Sequence, residues 1–378
     1  MNFFNFPVRI AYGPASFGEL PGLVKGLSEY VLVVCGQSSM RSSRRFDELL
    51  KSLAGLGVKY TLYEGVTPDP TVKDIDNAAA KLKEGSFDLV LAVGGGSVLD
   101  FGKSLALMKN YEGASVWDFV NTAERRATPV EHEVLPLIAV PTTSGTGSEA
   151  TPFTVLTNKE ARLKKGIGNS GLYPVLSVLD PELTLGLPRE QTLYTALDAF
   201  CQSLESYIGI KNSPLTEYLC LRSITGVITG LPGALDDPGD IKARSSLSLA
   251  AMLSGMAIGH TDVGLAHAIG QAISISYPLP HGLLVALVTP SVLEFSRSAI
   301  GEKIERVEAE IKKQTSATDV RGFFELTGLK LGLANYGVKA ADLGEMIETA
   351  LLIGSVKTSP VPVDKKGVRG IIERAMDG

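Results

Sequence analysis

The chain carries two kinds of hydrophobic pattern in succession. In its first half, short β-branched runs alternate with stretches of 3–4-residue periodicity. Residues 30–34 (YVLVV) form an unbroken apolar run before Gly36, which predicts a parallel strand buried on both faces. The spacing then predicts a helix over 47–56, a strand over 59–63 and a helix over 74–84. Residues 88–93 read as a strand running straight into Gly94, Gly95, Gly96 and Ser97, and 135–140 as another, stopped by Pro141. This strand–helix–strand rhythm implies a parallel sheet with helices on its faces. From about residue 188 the pattern changes. Leu193, Leu197, Phe200 and Leu204 recur at the spacing of a buried helical stripe. Further helices are predicted over 243–257, from His281 through 283–288, and over 365–376 behind Asp364 as cap. The expected fold is an α/β domain over 1–182 followed by an all-α domain over 183–378, with the boundary at Leu179-Asp180-Pro181-Glu182.

Composition narrows the function. The length of 378 residues suits two domains, and the formal net charge of −5 argues against a partner whose phosphates must be neutralised, so no nucleic acid is expected. The three cysteines, Cys35, Cys201 and Cys220, are widely spaced and form no CxxC pair, which favours a reducing compartment. Residues 1–7 lack a signal-peptide pattern and no run of 18 apolar residues occurs, so a cytoplasmic protein without a membrane partner is expected. Only four histidines are available for metal or acid–base chemistry.

Two loops carry candidate chemistry. GGGSVLDFGK at 94–103 follows a strand and opens a helix. Gly94, Gly95 and Gly96 let backbone N–H groups approach a phosphate, and the helix N-terminus adds positive potential. Ser97, Asp100 and Lys103 add polar groups on the first turn. A bare triple glycine also reads as a tight turn. PTTSGTGSE at 141–149 follows the next strand. Its Thr142, Thr143, Thr146 and Ser148 hydroxyls suit ribose and phosphate oxygens, although such a loop alone also reads as a solvated connection. Two such loops on one sheet point to a nucleotide site.

Together these loops resemble those of the iron-containing (group III) alcohol dehydrogenase family. Leu179 to Thr184, the helix around Asp198-Ala199, and Leu279-Pro280-His281-Gly282 extend the resemblance from about residue 8 to the C-terminus. It implies an N-terminal dinucleotide-binding α/β domain and a helical metal and substrate domain. Within the family, residues 150–153, the stretch from His267 to His281 and Tyr277-Pro278-Leu279 are similar to phosphonoacetaldehyde reductases. The implied ligands of a divalent metal (Fe or Zn) are Asp198, the residue four later, His267 and His281. That second position holds Gln202 where the family has histidine. Three readings stay open: Gln202 ligates through oxygen, three ligands and water suffice, or the site is metal-free and binds substrate by hydrogen bonds. Asp198, Gln202 and Glu205 share one helix face. Gln271 stands where many members carry a histidine that relays protons, so that relay cannot be an imidazole here. His132 and His260 match no ligand and read as surface or loop residues.

NAD enzymes often hold the ribose with an acidic residue after the second strand. Here Gly36, Gln37, Ser38 and Ser39 follow, with Arg41, Arg44 and Arg45 nearby as donors to a 2′-phosphate. NADP(H) is therefore expected ahead of NAD(H), with Gly36, Ser38 and Ser39 at the cofactor. The expected reaction is reversible reduction of a small, anionic aldehyde such as phosphonoacetaldehyde, steered by Arg162, Lys164 and Lys165, in a homodimer. Two alternatives remain: a dehydroquinate-synthase-like lyase using the nicotinamide transiently, and a non-catalytic nucleotide-binding protein.

Overall fold

The computed structural model describes residues 4–37, 40–122 and 125–378. They form two compact units. An α/β unit comprises Asn5–Thr143 and Ser148–Gly186, and a helical unit comprises Leu187–Gly378 with Phe4 and Ser144–Gly147.

The α/β unit holds β1 (Arg9–Tyr12), α1 (Leu20–Lys25), β2 (Tyr30–Gly36), α2 (Arg44–Gly55), β3 (Lys59–Val66), α3 (Val72–Leu82), β4 (Leu89–Gly94), α4 (Gly96–Met108), β5 (Leu137–Pro141), β6 (Phe153–Asn158), β7 (Leu163–Gly168) and β8 (Leu176–Leu179). Six strands make a parallel sheet in the order β1-β8-β5-β4-β2-β3, and β6 and β7 form an antiparallel hairpin. Period-2 alternation divides the apolar strands between two cores. Leu32, Val34, Val90 and Ala92 face one layer with α3 and α4 residues such as Ile75 and Phe101, while Val31, Val33, Leu91 and Val93 face another with Phe46 and Leu53 of α2. Local chemistry sets the helix starts. The Ser43 side chain accepts from Phe46 N, and Thr71 with Asp74 forms a capping box. The parallel sheet agrees with the sequence reading. Edge strand β1, paired to distant β8, and the β6–β7 hairpin went unread.

The helical unit contains α5 (Arg189–Ile208), α6 (Pro214–Asp236), α7 (Ile241–Thr261), α8 (Leu265–Ser276), α9 (His281–Gln314), α10 (Val320–Leu326), α11 (Leu343–Leu351) and α12 (Lys365–Asp377). Helix α5 is buried along most of its length, so polar residues on it sit inside the unit. Helices α6 and α9 are long and apolar enough by composition to cross a membrane, as is the α7–α8 pair if its 99° bend is counted as one span. More than half of the most apolar stretch of α6 and of α9 is buried within the fold, so core packing accounts for that apolarity. Cys35, Cys201 and Cys220 are buried free thiols.

Candidate functional site

In the α/β unit the chain runs from β2 to β3 in one direction and from β4 to β5 and β8 in the other. The order reverses between β2 and β4, and the crevice outside the carboxyl ends of such strands is where nucleotides bind in open α/β sheets. Gly36 ends β2 after a register irregularity at Cys35, beside the Val98 side chain of α4. Gly94 ends β4 opposite Pro141 of β5, and Thr142 N donates to its carbonyl at 3.0 Å. A Cβ on Gly95 would lie 3.3 Å from the Thr143 methyl. Gly36, Gly94, Gly95, Gly96, Thr142 and Thr143 are thus brought to one sheet edge. Helix α4 begins there with no side-chain cap, unlike α2 and α3, which leaves its first N–H groups for an anion. Ser38 and Ser39 lie outside the described residues.

Other expected cofactor residues are engaged differently. Ser97 Oγ accepts from Asp69 N at 3.2 Å. Asp100 turns inward, accepting from Ser148 Oγ at 2.7 Å and Val155 N at 3.0 Å. Fully buried Lys103 donates to the carbonyls of Ser148, Thr151 and Phe153 at 2.6, 2.9 and 2.8 Å. Burial pulls the Lys103 ammonium down to about 8 against the opposing charges of Asp100 and Glu149, and pushes the Glu149 carboxyl up to about 7. Asp100 and Ser148 therefore tie α4 to the segment before β6, and Asp100 ties it to β6 itself through Val155 N. Thr146 belongs with the helical unit, where Gly147 (φ 62) lies against α7: a Cβ would fall 2.6 Å from the Ala251 carbonyl. The expected 2′-phosphate donors all pair with carboxylates: Arg41 with Glu64 and Asp47, Arg44 with Glu48, and Arg45 with Glu182. Lys164 is buried against Asp69 rather than open to a substrate, and Lys165 donates to the Asn121 carbonyl.

In the helical unit, Asp198 and Gln202 sit on α5, His267 on α8, and His281 opens α9. One ligand atom from each of Asp198, His267 and His281 lies within 4.8 Å of the others. His267 Nε2 is 3.4 Å and His281 Nε2 3.8 Å from Asp198 Oδ1. Among the described residues, neither Asp198 Oδ1 nor His267 Nε2, both buried, has a hydrogen-bond partner. Glu205 supplies the reason for the ring's orientation. Its carboxylate accepts from Gly264 N at 3.0 Å and from Ala266 N, and it holds His267 Nδ1 in a short hydrogen bond. With Nδ1–H donating to Glu205, a ring carrying no proton on Nε2 would turn that lone pair toward a carboxylate oxygen. Two lone pairs so placed call for a cation between them, the carboxylate–histidine–metal arrangement. Without one, a proton substitutes: burial disfavours the charged ring, but Glu205 and Asp198 outweigh it and lift His267 to about 9. Burial likewise opposes the Asp198 charge, yet His267, His281 and Gln202 hold it below its ordinary value.

Gln202 bridges Asp198 and Ser254. Its Nε2 donates to Asp198 Oδ2 at 3.1 Å and its Oε1 accepts from Ser254 Oγ at 3.0 Å. Gln271 lies one turn beyond His267, half-buried. His260 is not in a loop but in the last turn of α7, stacked on Phe4, and His132 is half-buried with Nε2 at 2.8 Å from the Leu107 carbonyl. Sequence reasoning placed Glu205 on the right face without its role and missed Ser254. The heptad spacing from Asp198 signalled Glu205, whereas nothing local marks Ser254.

Residues 7–181 match the family described as iron-containing alcohol dehydrogenase, and residues 192–376 match the Fe-containing alcohol dehydrogenase family, C-terminal. The chain is 30% identical to a probable alcohol dehydrogenase, EutG, of Escherichia coli strain K12, over 98% of this chain and 94% of that protein. It is 31% identical to a sulfoacetaldehyde reductase of Bilophila wadsworthia, over 91% of each. The structure of an archaeal halo-thermophilic alcohol dehydrogenase from a Red Sea brine pool superposes with a TM-score of 0.93 at 28% identity, covering 100% of this chain and 99% of that one. With both halves matched and relatives aligned almost end to end, the chain belongs to the iron-containing alcohol dehydrogenase family and is an enzyme of alcohol dehydrogenase and aldehyde reductase type.

Proposed function

We propose that this enzyme reduces a small anionic aldehyde to its primary alcohol, reversibly, with NADP(H) preferred over NAD(H). The observation that carries the reading is the Asp198–His267–His281 cluster, whose facing lone pairs fit a divalent cation. A cation held there would supply a Lewis acid for the aldehyde oxygen, and the nicotinamide a hydride for its carbon. The chain's own residues set the geometry. Glu205 accepts from His267 Nδ1 and so aims Nε2, and His281 opens α9 with its Nε2 3.8 Å from Asp198 Oδ1. Gln271 carries no titrating proton, so the proton gained by the product oxygen comes from water or a ribose hydroxyl.

An anionic substrate such as phosphonoacetaldehyde is supported by the sulfoacetaldehyde reductase among the relatives. NADP(H) is supported by the absence of an acid directly after β2 in the sequence and by Arg41, which a 2′-phosphate would draw from Glu64. A homodimer is supported by Ile210, Leu215 and Tyr218, exposed near the start of α6, and a reducing cytoplasm by the free thiols. The test is oxidation of NADPH and NADH with phosphonoacetaldehyde, sulfoacetaldehyde and propionaldehyde, before and after chelation, with metal analysis. The expected result is chelator-sensitive turnover with higher kcat/KM for the anionic aldehydes and NADPH. Equal or better kcat/KM with NADH removes the cofactor preference. No oxidation with any aldehyde rejects the proposal.

A further inference from the structure

We propose that Gln202 is a positioning residue that keeps the cation site to three protein ligands, an inference resting on the metal-dependent reading above. Its amide bridges two buried groups. One end donates to Asp198 Oδ2, and the other accepts from the Ser254 hydroxyl, which is fully buried. Both ends fix the orientation. Turned the other way, the amide oxygen would face a carboxylate and the NH2 would face a hydroxyl that has lost its acceptor. Turning Oε1 toward the cluster would give up the bond from Nε2 to Asp198 Oδ2 and draw the oxygen away from Ser254 Oγ. Gln202 instead occupies Oδ2 of Asp198 and so presents Oδ1 to His267 and His281. Ser254, on α7, acts through Gln202 and never meets the cation. The coordination positions a fourth side chain would take are left to water or to the substrate oxygen.

Cobalt(II) is the probe, because its d–d bands report the ligand set while chelator competition reports affinity. Three variants are compared with wild type: Gln202→Leu, Ser254→Ala and the double variant. Loss of a group that orients a ligand costs about 10–100-fold in metal affinity. Gln202→Leu is therefore expected to weaken cobalt binding by about that factor with band positions unmoved. Ser254→Ala is expected to weaken it by a smaller factor. In the double variant Ser254→Ala should add nothing, because the two act in series. Bands that move in Gln202→Leu would mark the amide as a ligand and overturn the inference. Unchanged affinity in Gln202→Leu, or a Ser254→Ala loss that adds in full, overturns it as well. If Gln202→Leu does not fold, as judged by thermal unfolding, Ser254→Ala alone decides through its affinity. A wild-type protein that binds no cobalt rejects the metal-dependent reading itself, a different result from binding that ignores Gln202.

Discussion

Gly282, the second residue of α9, is the point where α9 meets α5. A Cβ added there would lie 2.0 Å from the Tyr194 carbonyl oxygen and 3.0 Å from Asp198 Cβ. Close carbon–oxygen contacts settle at about 3.3 Å, so Gly282→Ala must push the two helices apart by roughly 1 Å. Both obstacles are main chain or the first side-chain atom, so no rotamer change relieves them. Alanine gains about 1 kcal/mol over glycine in helix propensity, while overpacking of a tight core costs about 1–3 kcal/mol. The net effect on stability is therefore a modest loss. The effect on the site is larger, because His281 precedes the substituted residue and its Nε2 stands 3.8 Å from Asp198 Oδ1. A misplacement of about 1 Å costs on the order of 100-fold in turnover. Gly301, just past the break that non-helical Ile300 makes in α9, has nothing within 4 Å of its added Cβ, and Gly301→Ala serves as the control. Thermal unfolding, cobalt affinity by chelator competition and kcat/KM are measured on both variants. Gly282→Ala should melt slightly lower, bind metal more weakly and turn over about 100-fold slower, while the control keeps all three near wild type. Wild-type metal affinity and turnover in Gly282→Ala would refute the steric reasoning.

Glu205→Gln places an amide against Gly264 N and Ala266 N, which need acceptors, and should lower metal affinity by about 10–100-fold; unchanged affinity in chelator competition would show that His267 needs no carboxylate behind it. Lys103→Met strips an ammonium from three buried carbonyls and should cost about 3–5 kcal/mol in urea unfolding, and a loss below about 1 kcal/mol would contradict its linking role. For Glu149 the folded pKa of about 7 exceeds the ordinary 4.5, so the folded state binds more protons and this group's contribution falls as pH rises from 4.5 to 7. Glu149→Gln should remove that decline from a plot of Tm against pH. Lys103 acts oppositely: lowered from 10.5 to about 8, it is a proton that the unfolded chain keeps longer, so stability should rise with pH across that window, a rise that Lys103→Met abolishes.

The sequence was most legible where chemistry is local. The apolar runs of β2 and β4 announce double-sided burial, and Asp364 announces the start of α12. Asp198, His267 and His281 were found through motif likeness, and their convergence is visible in the fold. What stayed hidden depends on distant partners. Arg41, Arg44 and Arg45 read as a basic cluster, yet Glu182, 137 residues beyond Arg45, neutralises one of them. Asp100 and Lys103 read as polar groups beside a phosphate loop, but they turn inward because the backbone around Ser148 and Thr151 offers buried acceptors. Gln202 left three readings open because its second partner, Ser254, is 52 residues away on another helix.

The four residues Ser144–Gly147 bear on how the gene can be divided. They lie between two stretches of the α/β unit yet pack with the helical one, where a Cβ on Gly255 would fall 2.2 Å from the Gly147 carbonyl. A polypeptide begun at Leu187 would lack this short insert and bare the backbone groove of α7 that receives it. Recombining halves of two relatives at a single crossover near residue 186 would pair one parent's insert with the other's groove, a junction that tolerates glycine and little else. Modular exchange in this fold therefore needs the loop and α7 to travel together, although residues 148–240 separate them.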